Sequence, residues 1–227
     1  MKADPLMEIP ESREEAIALQ QLLRQRCIWE RVIDTNDIAL VAGADAAYSE
    51  SLVYAAAVLV SFPSMEPVAH RVAIEPLAFP YEPGMLAFRE GPALLSALIR
   101  LPMRPQVIFF NGHGRAHPRR FGLAAHMGVL LHTPSVGIAE RTLIGRAEPP
   151  ADADGATSPL IDGGEVVGMA VRTRSGSRPV IVSQGYMIDL AQAVELTIAS
   201  AHGERIPLPL RQADRLAGAA RREHGFA

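Results

Sequence analysis

The chain is poor in cysteine. Cys27 is the only one in 227 residues, so no internal disulfide can form. This fits a reducing compartment and excludes a small cystine-stapled scaffold. Basic charge is not in excess either: 22 Lys and Arg against 25 Asp and Glu leave a net charge of −3. Such a balance argues against a protein coated in positive surface for bulk nucleic-acid binding, although a local basic groove remains open to it. The longest aliphatic stretch, "LVYAAAVLVSF", falls far short of the roughly 20 residues a membrane helix needs. The segment "MKADPLMEIPESREE" has no apolar leader core. Together these absences lead to the expectation of a cytoplasmic protein without membrane association.

What is present is an ordinary globular composition, 48 % apolar and 21 % charged, on a chain long enough for a substantial core. Ser12 and Glu15 have capping-box spacing, and Ala16, Leu19, Leu23 and Cys27 recur on a helical period. A helix of about four turns is expected there. "IALVAGADAAY", "VYAAAVLVSF" and "VAHRVAIE" read as three strands with short connections, an antiparallel meander. "AFPYEPG" is a stiff loop. "MLAFREGPALLSALIRL" is helical at both ends, with Pro92 well placed to open a second helix. "QVIFFN" is a strand, "FGLAAHMGVLL" a helix and "PSVGIA" a buried strand. From Ala124 onward helix and strand alternate, which implies parallel crossovers. Residues 147–164 read as a polar surface excursion, "VVGMAVRT" and "PVIVSQG" as a strand pair, and two helices follow. The expectation is a single α/β domain with a mixed sheet over 1–227, with an N-terminal helix within 1–34 packed on it.

Several residues carry chemistry. Asp45 ends an apolar strand, where a lone carboxylate is costly to bury. It is either a turn aspartate or a residue with a cationic partner. Glu90 lies in a helix otherwise apolar, and taken alone it reads as solvent-facing. His113 and His117 are four apart, but Gly112, Gly114 and Pro118 oppose the helix that a zinc pair of that spacing needs. With Arg115, Arg119 and Arg120, the loop "NGHGRAHPRR" is suited to phosphate contact. Tyr81, held between Pro80 and Pro83, could wedge into a base stack. From this stretch alone, a core-packed Tyr in a turn is the commoner reading.

The stretches "VAGADAAY", "FPYEPGMLAFREGPALL", "NGHGRAHPRRFGLAAHMGVLL", "PSVGIAERTLIG", "DGGEVVGMAVRTRSGSRPVIVSQG" and "RIPLPLRQADRLA" follow one another in an order and spacing that resemble endonuclease V, over about 35–225. The resemblance implies a ribonuclease H-like fold and recognition of deaminated bases, chiefly hypoxanthine, in DNA or RNA. It further implies hydrolysis of the second phosphodiester bond 3′ to the lesion with Mg²⁺ or Mn²⁺, chemistry that suits two metal ions held by carboxylates. It also suggests a monomer. Carried across residue by residue, Asp45 matches the first metal-ligating Asp and Glu90 the catalytic Glu. Tyr81 matches the wedge, with Pro80 and Pro83 beside it. His117 matches a His near the scissile phosphate or the base pocket. Gly84, Leu86, Gly112, His113 and Gly114 would line that pocket. Asp214 stands where the family has an acidic residue or His close to the metals.

Three positions depart from the family pattern. Asn111 replaces a metal-binding Asp, and hard cations favour anionic oxygen. Glu140 replaces a lysine, and Tyr186 replaces a histidine. Metal binding weakened by Asn111 is one expectation, with cleavage reduced, or lost in a degenerate family member that binds inosine-containing or branched nucleic acid without cutting. The other is a relocated site, in which Glu140 restores at the end of one strand the carboxylate missing from its neighbour.

Overall fold

The computed structural model describes residues 9–224. The first eight residues of the N-terminal segment, which belong to the leader reading, and the last three lie outside the described residues. The sequence of elements is α1 (Arg13–Arg24), β1 (Leu40–Tyr48), β2 (Leu52–Ser61), β3 (Pro67–Pro76), α2 (Leu86–Ile99), β4 (Val107–Asn111), α3 (Leu123–Leu131), β5 (Ser135–Ala139), β6 (Ala156–Asp162), β7 (Glu165–Arg172), β8 (Val180–Tyr186), α4 (Leu190–Ala201) and α5 (Leu208–His224). All eight strands join one sheet in the order β3-β2-β1-β4-β5-β8-β7-β6. It is the mixed sheet flanked by helices that the sequence led us to expect. The Ser12 hydroxyl accepts the Glu15 N–H at 3.2 Å, so α1 begins at its N-cap as read.

Strand parity divides the core. Val41, Val107, Phe109, Val136 and Ile138 face α4 and α5. Ala42, Ala44, Ile108 and Phe110 face α2 and α3. Since successive side chains alternate across a sheet, Asp45, Asn111 and Glu140 follow the first set. They project toward the α5 face, Asn111 at the end of β4 and Glu140 just past β5. Asp45, read as ending its strand, lies inside β1, which runs on to Tyr48 beside β2 after its pairing with β4 has stopped at Ala44. Asn111 and Ile138 are register partners, so the ends of β4 and β5 do lie side by side. Gly43 brings α5 down onto β1: a Cβ there would lie 2.3 Å from the Leu210 backbone nitrogen and the Pro209 carbonyl carbon. That close approach carries Asp214, one helical turn beyond Leu210, into the neighbourhood of Asp45.

Three expectations are corrected. Helix α2 is continuous through Pro92. The ring lacks an N–H and crowds the residue before it, but that residue is Gly91, which has no Cβ to clash. Apolar packing of Ala87, Phe88, Leu94 and Leu98 on both sides of it keeps the helix whole. Parallel pairing is confined to β1–β4 and β4–β5. Beyond β5 the partners are antiparallel, because β6, β7 and β8 are joined without helical crossovers and β8 runs back beside β5. The segment 147–164 is not all surface excursion, since β6 runs through it as the edge strand and turns into β7 at Gly163 and Gly164, both with positive φ.

Candidate active site

Two cavities lie at the carboxyl ends of β1, β4 and β5, one toward each face of the sheet. On the α5 face, Asp45, Asn111, Glu140, Arg211 and Asp214 line a cavity of about 120 Å³ with Ile138, Leu210 and neighbours. Asp45 is only 4 % exposed. Burial pushes its carboxyl up to about 7; the N–H of Ala46 and the amide of Asn111 pull it down, while Asp214 and Glu140 repel it. Glu90 enters from α2. Far from facing solvent, it is buried, and its Oε2 has no partner. Its carboxyl is held well above the ordinary range by burial and then by Asp45. The periodicity of α2 was a poor guide here, because the helix is covered on two sides and not on one stripe.

Asn111 decides the present state of this centre. Its Nδ2 donates to both Asp45 oxygens, Oδ1 and Oδ2, each at 3.1 Å. The amide thus occupies the carboxylate face that a cation would need. Glu140 turns outward, its Oε2 3.2 Å from Arg205 Nη1 and its side chain 62 % exposed. Oxygen donors on Asp45, Glu90 and Asp214 are of the type a hard divalent cation takes, and the buried Oε2 of Glu90 has no hydrogen-bond partner. Yet among the described residues no three His, Cys, Asp or Glu side chains come together closely enough to hold a metal ion. As arranged, these residues do not fit a metal centre; Asn111 would first have to release Asp45.

On the other face, Gln20, Tyr81, Pro83, Gly84, Leu86, Ala87, His113, His117, Gly122, Leu123 and Leu143 surround a cavity of about 140 Å³. Tyr81 stands at its mouth, 73 % exposed. The tyrosine is therefore not core-packed: the prolines hold the loop tip away from the body of the fold. The Gly84 carbonyl takes three donors, from Gln20 Nε2 at 3.0 Å, His117 Nε2 at 3.0 Å and Arg119 Nη2 at 2.7 Å. His117 Nδ1 accepts the Arg119 N–H at 3.2 Å, which fixes the neutral Nε2–H tautomer. Burial, then Arg119, lower that ring to about 3. Gly84 itself has φ +81, and a Cβ there would lie 2.8 Å from Arg119 Nη2. His113 is lowered by burial to about 4, opposed by a bond to the Arg141 backbone, and its Nδ1 is a buried nitrogen with no partner.

Other sequence-derived candidates lie elsewhere. His117 belongs to this second cavity and not to the acidic one. Gly112 and Gly114 do not line it. Gly112 backs Leu86 and Leu123, and Gly114 has no room for a Cβ because the Gln184 carbonyl oxygen would lie 2.1 Å away. The three arginines are engaged inside the fold. Arg115 pairs with Glu165 and stacks over Trp29, Arg120 pairs with Glu165 and Asp162 at 2.9 Å each, and Arg119 donates from Nε to Gln20 at 2.5 Å. They clasp the loop to the β6–β7 hairpin and to α1, where phosphate contact had been expected. Tyr186 is remote from both cavities, buried with Leu23, Phe121 and Val129. Gln20 was missed. The signal was a polar residue one turn past Ala16 on the buried side of α1, at a position where an aliphatic side chain would be ordinary.

A mixed sheet that gathers Asp45 of β1, Asn111 of β4 and Glu140 after β5 at one end, under a helix that adds Asp214, defines the class: a ribonuclease H-like α/β protein. The model of the endonuclease V family matches residues 21–215. An endonuclease V of Roseiflexus sp. (strain RS-1) is 46 % identical over 212 residues, 93 % of this chain and 95 % of that protein. The crystal structure of the Streptomyces avermitilis endonuclease V superposes with a TM-score of 0.91 at 42 % identity, covering 96 % of each chain. The Ciona intestinalis endonuclease V, solved in complex with a 24mer DNA containing an inosine followed by a ribo-adenosine, superposes at 0.83 with 27 % identity, covering 94 % of this chain and 99 % of that one. The chain belongs to the endonuclease V family, whose members are metal-dependent nucleases of DNA repair. No helix among the described residues is long and apolar enough to cross a membrane.

Proposed function

We propose that this protein recognises a deaminated purine, hypoxanthine in deoxyinosine or inosine, and cuts the second phosphodiester bond 3′ to it far more slowly than an Asn111→Asp variant does. The chain acts as one cytoplasmic, monomeric unit on DNA or RNA. Support for recognition comes from the second cavity. An exposed Tyr81 beside an apolar pocket suits a wedge and an everted base. Hypoxanthine carries an N1–H where adenine has an acceptor, and His113, which lines the pocket, has a buried Nδ1 without a partner that such an N–H would satisfy. The observation that carries the catalytic half is the Asn111 amide lying across both Asp45 oxygens. Asp45, Glu90 and Asp214 remain the residues toward which a cation, Mg²⁺ or Mn²⁺, would be drawn. Phosphate contact through Arg115, Arg119 or Arg120 would require them to leave the partners they now hold.

A nicking assay on deoxyinosine duplex and inosine RNA tests this, with Mg²⁺ and with Mn²⁺. Both Asn111→Asp and Asn111→Asp with Glu140→Lys are expected to cut orders of magnitude faster than the natural chain. Equal rates would overturn the catalytic half, and equal affinity for inosine and unmodified strands would overturn the recognition half. A second reading, the relocated site, is favoured by Glu140 lining the same cavity as Asp45 and Asp214. Under that reading the natural chain cuts at an ordinary rate and Glu140→Gln abolishes it; unchanged cutting by Glu140→Gln discards it.

A further inference from the structure

A shallow groove of about 450 Å³ adjoins the acidic cavity through Asp214. It runs between α5 and the end of β1, lined by Ala46, Ala47, Tyr48, Arg215, Gly218, Arg221 and Arg222. The helical positions 214, 215, 218, 221 and 222 share one face of α5. All three arginines are exposed, and none has an ion-pair or hydrogen-bond partner among the described residues. This contrasts with the arginines of the 112–120 loop, each of which is taken up by the fold. Tyr48 forms an aromatic wall, steadied by the Arg89 guanidinium 4.9 Å over its ring. Cations in the last turn also suit the helix dipole, which accounts for Arg221 and Arg222. It does not account for Arg215, in the middle of the helix.

Gly218 is the second, independent observation. Glycine inside a helix costs about 1 kcal/mol relative to alanine. In α3 that cost has a packing reason: at Gly128 a Cβ would lie 2.2 Å from Ser135 Oγ and 2.5 Å from the Tyr186 Cβ. At Gly218 the nearest atom is the end of the Arg222 side chain, at 3.4 Å. The fold does not require glycine there. Its effect is to leave the floor of the groove bare between Arg215 and the Arg221–Arg222 pair.

We infer that this groove is a track for the phosphate backbone of a nucleic-acid strand as it passes the acidic cavity. The inference rests on the reading of the chain as nucleic-acid-binding and adds the path of the strand. From Asp214 to Arg222 the helix rises roughly 12 Å, at about 1.5 Å per residue. That spans about three to four phosphates of a stacked strand at about 3.4 Å each. The groove meets charge and not bases, so it contributes affinity without selectivity.

The test is binding of single strands, with and without one inosine, to the full chain at several salt concentrations, without divalent cations. The variants are Arg215→Gln/Arg221→Gln/Arg222→Gln together, Gly218→Leu to fill the floor without altering charge, and Arg24→Gln on α1 as a control for general charge. In the triple variant the slope of log affinity against log salt should fall by about 2, at about 0.7 for each phosphate no longer neutralised. Affinity should drop by the same factor on both strands, so the inosine preference is unchanged. Gly218→Leu should weaken both strands equally, and Arg24→Gln should leave affinity and slope as they are. If the natural chain prefers inosine while the triple variant and Gly218→Leu bind as it does, the groove is wrong and the recognition reading stands. If the natural chain shows no inosine preference but the variants lose affinity and slope, the groove stands and that reading falls. No binding of either strand overturns both. A folded single variant, Arg215→Gln, with a slope reduced by about 0.7 carries the test should the triple variant fail to fold.

Discussion

Asp45→Asn should make the protein more stable at alkaline pH. The carboxyl of Asp45 titrates at about 7 in the fold against an ordinary value of 3.8, chiefly because it is buried. An acid raised in this way holds its proton more tightly when folded. The folded state is therefore favoured without penalty below 3.8, and that advantage is lost as the pH rises through about 7. At about 1.4 kcal/mol per pH unit, the ionised side chain costs the fold about 4 kcal/mol above pH 8 and less than half of that at pH 5. Asparagine keeps an acceptor for the amide of Asn111 and the N–H of Ala46, and it carries no charge at any pH. Urea unfolding of the two proteins, in chelator and at pH 5 and pH 8, gives the measurement. The variant should gain about 4 kcal/mol at pH 8, corresponding to a melting shift of about 8–16 °C for a chain of this size, and much less at pH 5. A variant no more stable than the natural protein at pH 8, or a gain that does not shrink toward pH 5, would refute the account of Asp45 as an uncompensated buried charge.

Other expectations come from the same two cavities. Asn111→Asp should lose stability at pH 8 in chelator, since it replaces a donor to Asp45 with a further like charge beside Asp45, Glu140 and Asp214, and regain it on adding Mn²⁺. A melting temperature of that variant indifferent to Mn²⁺ would count against a latent metal site. Gln20→Leu removes a bond to the Gly84 carbonyl and one to the Arg119 guanidinium, together worth roughly 2–4 kcal/mol. It should lower inosine preference as well as stability, with Gln20→Glu, which keeps only the Arg119 bond, failing to restore the preference. Tyr81→Ala should leave thermal stability within about 0.5 kcal/mol, as befits an exposed tip, while weakening binding to an inosine-containing strand; unchanged binding would remove Tyr81 from the site. Tyr186→His, although it restores the family residue, should not raise nicking, because Tyr186 is buried against α1 and α3.

Much of the architecture could be read from periodicity. The Ser12 cap, the meander and the strand pair of β7 and β8 rest on local signals: a hydroxyl three residues before an acid, alternation of small and branched side chains, and turns at prolines and glycines. Asp45, Glu90, Asn111, Glu140 and Asp214 were recognisable as a set because the family motifs that hold them are contiguous in the chain. Chemistry at the ends of strands survives translation into sequence, since parity and strand order place it. Residue identity alone also marks Asn111 as an anomaly, without any geometry.

The remaining features depend on approach between segments far apart in the chain. Whether Glu90 faces water was settled by burial against Asp45, not by its neighbours in α2. Pro92 stayed inside a helix because tertiary packing on both of its sides outweighed a local break. The arginines of the 112–120 loop looked free in sequence, but Glu165, Asp162 and Gln20 come to them from β7, the end of β6 and α1. The arginines of α5 line a groove only because α5 packs across the bare backbone of Gly43 beside the end of β1. Tyr186 looked like part of the centre and is part of the core. Local sequence records what each side chain can do chemically; which partner it meets is set by long-range packing, because hydrogen bonds and charges act over a few ångströms in space, whatever their separation along the chain.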